Sequence, residues 1–238
     1  MNFGFDMEIW QKSEIAVSIQ LDIKTYCHAL ICGSSGSGKS YALLFLLKQL
    51  LDEDVCLFLL DPKNSEDFSF MKCYKYYYSA DDCYEGFKNY YEIFTQARKT
   101  MQSDKRYVLV CDEYPAFILQ LKAQDTLNKT KTASEVLSIN SELLMLGRGV
   151  AKGFGVWTVC QRPNMGVSHA ESLENKAFWW GLGHSSPVSR SGFEQKRTSI
   201  QMFFFCSSRA QESPAPAQNF VLAGSENSPP DCFPSRAG

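Results

Sequence analysis

Eight residues, "GSSGSGKS" from Gly33 to Ser40, follow the spacing G-x-x-x-x-G-K-[ST]. Gly33, Ser34, Ser35, Gly36, Ser37 and Gly38 supply a backbone able to curl until successive N–H groups point inward and cradle phosphate oxygens. In that arrangement Lys39 reaches the β- and γ-phosphates of a nucleoside triphosphate, and the Ser40 hydroxyl sits on Mg²⁺. The plainer alternative, a flexible Gly/Ser linker, does not suit the flanks. "HALICG" (His28–Gly33) reads as a short buried strand, and "YALLFLLKQLL" (Tyr41–Leu51) as a helix apolar on most faces. Strand, glycine loop and helix is the required setting, because the helix N-terminus places the positive end of a dipole under the phosphates.

Two further segments carry chemistry that such a loop needs. "VLVCDE" ends an apolar run in two acids. Asp112 is expected to hold Mg²⁺ through water, and Glu113 to orient and polarise the water that attacks the γ-phosphate. The second acid favours hydrolysis, since an enzyme that delivers the phosphoryl group to an acceptor has little use for a water-polarising Glu there. "TVCQRP" places Gln161 at the end of another apolar run, where its amide is expected to touch the γ-phosphate and report its loss. An ordinary exposed Gln after a strand is the alternative.

These residues need a scaffold, and the hydrophobic pattern supplies one. "VCLFLLD" (Val55–Asp61), "RYVLVCDEY" (Arg106–Tyr114) and "FGVWTVCQRP" (Phe154–Pro163) are continuous apolar runs of the kind buried on both faces of a parallel sheet, and "AFWWGLG" (Ala177–Gly183) looks like one more. Residues 14–24 alternate weakly and suggest a strand leading into the P-loop unit. Asp81–Thr100 carries an aromatic stripe at helical spacing, and Ala133–Gly149 is an amphipathic helix stopped by glycines. Strands alternating with helices predict an α/β fold with a mostly parallel sheet covered by helices on both faces.

The 238 residues are 45% hydrophobic with net charge −2, enough for one sizeable core and too little positive charge for a broadly basic nucleic-acid coat. No apolar run approaches a membrane span, and the acidic N-terminus does not read as a signal peptide. Nine cysteines without paired spacing suit a reducing, cytoplasmic setting and give no metal cluster. Beyond about Phe193 the periodicity fades, and five of the nine prolines fall in residues 214–238. The domain reading is therefore a P-loop ATPase domain over 1–193 and a divergent, poorly ordered Pro/Ser-rich tail over 194–238.

Taken in order, "HALICGSSGSGKS", "LLDPKNSEDF", "VLVCDEYPAFIL", "LMLGRGVAKGFGVWTVCQRP" and "GLGHSSPVSRSGF" resemble the FtsK/HerA group of RecA-like motor ATPases, especially the FtsK-like proteins of conjugative elements. The likeness covers roughly residues 14–193. It implies a RecA-like P-loop fold, ATP and Mg²⁺ as cofactors, and a double-stranded DNA translocase working as a ring, most often a hexamer. A relaxase or a membrane-anchored transfer protein is the implied partner. It also implies that Arg148, flanked by glycines, is a finger reaching the neighbouring subunit's γ-phosphate; a helix-end cation complementing the dipole is the alternative. The polar segment Gln120–Ser134 would be a channel loop touching the DNA backbone through Lys122, Lys129 and Lys131, or else a solvated surface connection. Two other classes stand beside the motor: a small-molecule or nucleotide kinase, for which no arginine-rich lid is visible, and a nucleotide-binding module without turnover, against which Lys39, Asp112 and Glu113 argue.

Overall fold

The computed structural model describes residues 1–161 together with the strand segments 178–182 and 202–203. In chain order these form β1 (Asn2–Asp6), α1 (Met7–Ser13), β2 (Ser18–Gln20), β3 (Ala29–Gly33), α2 (Lys39–Asp52), β4 (Val55–Asp61), β5 (Tyr77–Ser79), α3 (Cys83–Thr100), β6 (Arg106–Cys111), α4 (Tyr114–Asn128), α5 (Thr132–Leu146), β7 (Phe154–Cys160), β8 (Phe178–Leu182) and β9 (Met202–Phe203). Six of the strands make one sheet in the order β5-β4-β6-β7-β3-β8, with every neighbouring pair parallel. The P-loop strand β3 lies between β7 and β8, and β6, which ends in the paired acids, lies between β4 and β7.

The apolar runs are continuous because consecutive side chains enter two different cores. Leu57 and Leu59 of β4, Val108 and Val110 of β6, and Trp157 and Val159 of β7 pack on one face with Leu43, Leu46, Leu47 and Leu50 of α2. Phe58 and Leu60, Leu109 and Cys111, and Phe154 and Val156 go to the other face, against Phe87, Tyr90 and Phe94 of α3, Phe117 and Leu121 of α4, and Val136 and Leu143 of α5. Burying each such side chain contributes about 1.5–3 kcal/mol, so both layers hold the sheet against its helices. This is the expected α/β arrangement with helices on both faces.

Two expectations change. The strand expected over 14–24 shrinks to the three residues of β2, and it does not join the P-loop sheet. It pairs antiparallel with β1 in a second sheet of order β2-β1-β9. The segment 120–134 is not a loop: α4 runs through Asn128, and only residues 129–131 separate it from α5. Asp125 builds that tight corner, accepting from the backbone N–H of Thr132 and of Ala133, each at 2.8 Å, and from the Thr130 hydroxyl. These hydrogen bonds, the Thr130 hydroxyl first, hold its carboxyl down to about 2. β9 pairs with Phe5 and Asp6 of β1, and the compact unit that contains all the described residues runs from Met1 to Phe205. Residues 194–201 and 204–238 lie outside the described residues, and with them the boundary expected at 193 and the poorly ordered tail expected over 194–238.

Candidate active site

At the C-terminal end of β3 the chain turns through Gly36 at φ +74° and Gly38 at φ +86°, left-handed conformations that favour glycine at both points. The Ser37 N–H donates to the Ser34 carbonyl (3.2 Å), and the Ala42 N–H to the Gly38 carbonyl (3.0 Å), opening α2. α2 begins with no side-chain cap and no acidic residue in its first turn, so its N–H groups and dipole are not taken up by the protein's own carboxylates. A Cβ built at Gly36 would meet nothing within 4 Å, which leaves the loop's outer side open. Lys39 lies back over the loop, its ammonium donating to the carbonyls of Gly33 (2.8 Å) and Ser34 (2.9 Å). The Ser37 hydroxyl is buried without a hydrogen-bond partner among the described residues, and half-buried Ser40 is the second residue of α2. A curled glycine loop, an uncapped helix start and a long-stemmed ammonium fit a triphosphate.

The acids sit two strands away at the same edge. Register pairs Leu60 of β4 with Cys111 of β6, and the Asp112 N–H donates to the Leu60 carbonyl (3.0 Å), so Asp61 and Asp112 end adjacent strands side by side. Asp61 is fully buried; its Oδ2 accepts from the Ser65 N–H (2.7 Å) and the Tyr77 hydroxyl (3.0 Å). Burial, and then the Asp61 carboxylate, push the Tyr77 hydroxyl up to about 12. Asp112 is 9% exposed, and burial pushes its carboxyl up to about 6; Glu113 and Asp61 add to the rise, and Lys63 opposes it. A hard, oxygen-only donor set of the Asp112 carboxylate and the Ser40 hydroxyl suits Mg²⁺, which keeps several waters and completes its shell with phosphate oxygens.

Glu113 has φ +46° and ψ +49°, a conformation uncommon outside glycine. Its carbonyl accepts the first N–H groups of α4, from Ala116 (2.7 Å) and Phe117 (3.3 Å), while its side chain makes no capping bond. Among the described residues the carboxylate instead meets two partners: Lys63 Nζ lies 3.0 Å from Oε1, and Gln161 Nε2 donates to the same oxygen at 3.4 Å. The loop with Lys39 and Ser40, the acids Asp112 and Glu113, and Gln161 thus project from the C-terminal ends of three strands of one sheet, β3, β6 and β7.

Sequence reasoning missed Lys63, Asp61 and Tyr77. The signal was present in "LLDPKNSEDF", but nothing local shows that Lys63 meets an acid fifty positions on. Arg148, by contrast, is exposed in a 3-10 turn (Gly147–Gly149) at the opposite edge of the sheet, where Gly147 lies against the Phe154 carbonyl and the His28 ring ahead of β3. It cannot serve the site of its own chain. Lys122, Lys129 and Lys131 are all exposed, on α4 and the α4–α5 corner. α4 is held towards the β5 side, Gln120 (2.7 Å) and Gln124 (3.4 Å) both donating to Asp81.

Comparison with known proteins bears on this geometry. The family profile of the central domain of helicase HerA matches residues 8–144, more than half of the chain. The chain belongs to that family. It is thereby an FtsK/HerA-type ATPase by descent, in line with the resemblance drawn from its motifs. Among solved structures, the conjugation coupling protein TcpA of pCW3, a monomer form with ATPγS, is similar at TM-score 0.62 and 19% identity over 80% of this chain and 56% of that one. ATPases 2 and 3 of EssC from Geobacillus thermodenitrificans are similar at TM-score 0.57 and 12% identity, covering 83% and 39%. The cytoplasmic domain of the Thermomonospora curvata type VII secretion ATPase EccC is similar at TM-score 0.52 and 14% identity, covering 78% and 22%. These likenesses establish the RecA-like P-loop fold, and the chain spans little more than half, or less, of each structure's length. No curated protein matches it by sequence.

Proposed function

We propose that this HerA-family chain is an ATP-hydrolysing motor subunit that moves double-stranded DNA. It works in a ring, most simply a homohexamer, in DNA transfer or segregation. ATP and Mg²⁺ are its cofactors, the cytoplasm its compartment, and a relaxase or a membrane-anchored transfer protein its recruiting partner. Among the described residues no helix is long and apolar enough to cross a membrane. One observation carries the reading: the P-loop, Asp112, Glu113 and Gln161 converge at one edge of the sheet, with Gln161 on the Glu113 carboxylate. That arrangement would supply phosphate cradle, metal ligand, water-polarising base and γ-phosphate sensor in one place. A helicase family, rather than the fold that motors share, favours DNA as the cargo.

Phosphate release from ATP, measured with and without double-stranded DNA, tests it. DNA-stimulated turnover that Lys39→Ala abolishes is the expected result. Transfer of phosphate to a small acceptor would instead assign a kinase, and ATP binding without turnover a structural nucleotide module.

A further inference from the structure

We propose that Lys63 is the positioning residue of the hydrolytic site: its ammonium holds the Glu113 carboxylate by Oε1 and leaves Oε2 to take the attacking water. The inference rests on Glu113 being the water-polarising base of the function proposed above.

Three observations lead there. The first is placement. β6 is flanked by β4 and β7, and Glu113, following β6, is met from both flanks: by Lys63 from the turn after β4 and by Gln161 from the end of β7. Both contacts fall on one oxygen, Oε1. The second is charge. Three carboxylates, Asp61, Asp112 and Glu113, gather at the ends of β4 and β6, and like charges so close drive the least buried of them outward. Lys39, the other ammonium of the site, is engaged with the carbonyls of its own loop. Among the described residues, Lys63 is the cation that meets this acidic group. The pair is not an idle surface contact, for the Glu113 side chain is only 14% exposed while Lys63, at 50%, keeps its ammonium partly in water.

The third is the backbone of Glu113. A left-handed residue at the start of α4, with its side chain unused in capping, is held by its surroundings rather than by its own preference. A fixed backbone with a carboxylate gripped at one oxygen is what orienting a water requires, since a displacement of about 1 Å from the productive geometry costs on the order of 10²-fold in rate.

The test uses the full chain with ATP, Mg²⁺ and double-stranded DNA, measuring single-turnover phosphate release. Lys63→Met is expected to lower the rate by about 10–100-fold with KM for ATP within about twofold of wild type. Lys63→Arg, which keeps the charge, is expected to recover most of the loss, and melting curves check that each variant is folded. The deciding measurement repeats Lys63→Met in a Glu113→Gln background, which alone lowers hydrolysis by about 10²–10⁴. If Lys63 acts through Glu113, the second substitution costs nothing further. The same fractional loss in both backgrounds, or a rise in KM with the rate unchanged, overturns the proposal and puts Lys63 on the nucleotide itself, leaving Glu113 as base. A wild-type rate in Glu113→Gln alone removes the base, and the role of Lys63 with it.

Discussion

The two edges of the parallel sheet are built on opposite principles. At the C-terminal edge the chain gathers Asp61, Asp112 and Glu113, holds Glu113 in a left-handed conformation, and leaves the Asp61 Oδ1 and Ser37 Oγ atoms buried without hydrogen-bond partners among the described residues. At the N-terminal edge several polar groups are matched. The Trp157 indole N–H donates to the Cys27 carbonyl (3.0 Å), the Val156 N–H to His28 Nδ1 (3.1 Å), and the Tyr90 hydroxyl to the Gly155 carbonyl (2.8 Å). Glycines there permit backbone contacts that no side chain would: a Cβ on Gly155 would stand 2.3 Å from the Cys27 carbonyl oxygen. One edge gathers buried carboxylates where a bound cation can meet them; the other is closely packed, backbone against side chain. Lys152 and Arg148 are exceptions, exposed cations on the packed edge, Arg148 at a glycine-flanked turn.

Arg148 carries the largest expected effect. A finger supplied to the neighbouring subunit is worth about 10³–10⁵ in rate, because a planar guanidinium spreads over the γ-phosphate charge of the transition state. Arg148→Ala should therefore bind ATP normally and hydrolyse it poorly, without a fall in melting temperature. Mixing it with Glu113→Gln protein should restore part of the activity, since some mixed interfaces pair an intact Glu113 with an intact Arg148. No rescue under conditions where subunits demonstrably exchange, or full turnover by an isolated monomer, would return Arg148 to a helix-end cation.

The next effect separates the edges by pH. Asp112 has a folded value of about 6 against an ordinary 3.8, so the folded chain holds that proton more tightly than the unfolded one. The ionised carboxylate therefore costs stability, up to about 3 kcal/mol; the cost is absent below about pH 4 and fully present above about pH 6. Asp112→Asn should raise the melting temperature of the ligand-free protein at about pH 8 by several degrees, with the gap to wild type closing towards about pH 4. Mg²⁺-dependent ATP stabilisation should vanish in the same variant. A constant gap at all pH values would mean that the gain comes from packing and not from charge.

Gly155→Ala probes the packed edge by the same measurement. A methyl forced against the Cys27 carbonyl should cost about 1–3 kcal/mol and lower the melting temperature by about 2–4 °C for each, while KM for ATP stays put. If nucleotide affinity fell with stability, the two edges would not be independent.

How much of this is legible in the sequence follows from the same division. β4 can be read to the residue, and β6 and β7 at their first residues, because strands buried on both faces are unbroken apolar runs with polar ends. Those polar ends form the C-terminal edge, so Lys39, Asp112, Glu113 and Gln161 come with them. β5 escapes such a reading because "YKYYYS" has neither alternation nor a continuous apolar run; it is a three-residue edge strand held by its pairing with β4. β1 and β9 pair across nearly two hundred residues, a contact that no local pattern encodes. α4 is hidden because only its first half reaches the core, through Tyr114, Pro115, Phe117, Ile118 and Leu121, while its second half reads as polar connection.

That hidden helix changes the smallest of the predictions. As a channel loop, residues 120–134 would bring Lys122, Lys129 and Lys131 to DNA on flexible backbone. On a helix end and a corner fixed by Asp125, Lys122 stands seven residues before Lys129 on rigid structure, and all three are exposed. Rigid lysines grip a phosphate backbone without an ordering cost, provided that they face it. Replacing all three by Ala should then weaken DNA binding equally across sequences and reduce the slope of log K against log salt by about 0.9 for each phosphate that is no longer neutralised. Hydrolysis without DNA should survive, because the α4–α5 corner lies apart from the strand ends that carry the P-loop and the acids. Disturbing the corner instead, through Asp125→Ala, should lower stability and blunt DNA binding together, since the carboxylate fastens Thr132 and Ala133. An unchanged salt slope in the triple variant would leave these lysines as a solvated face, with the grip on DNA elsewhere in the ring.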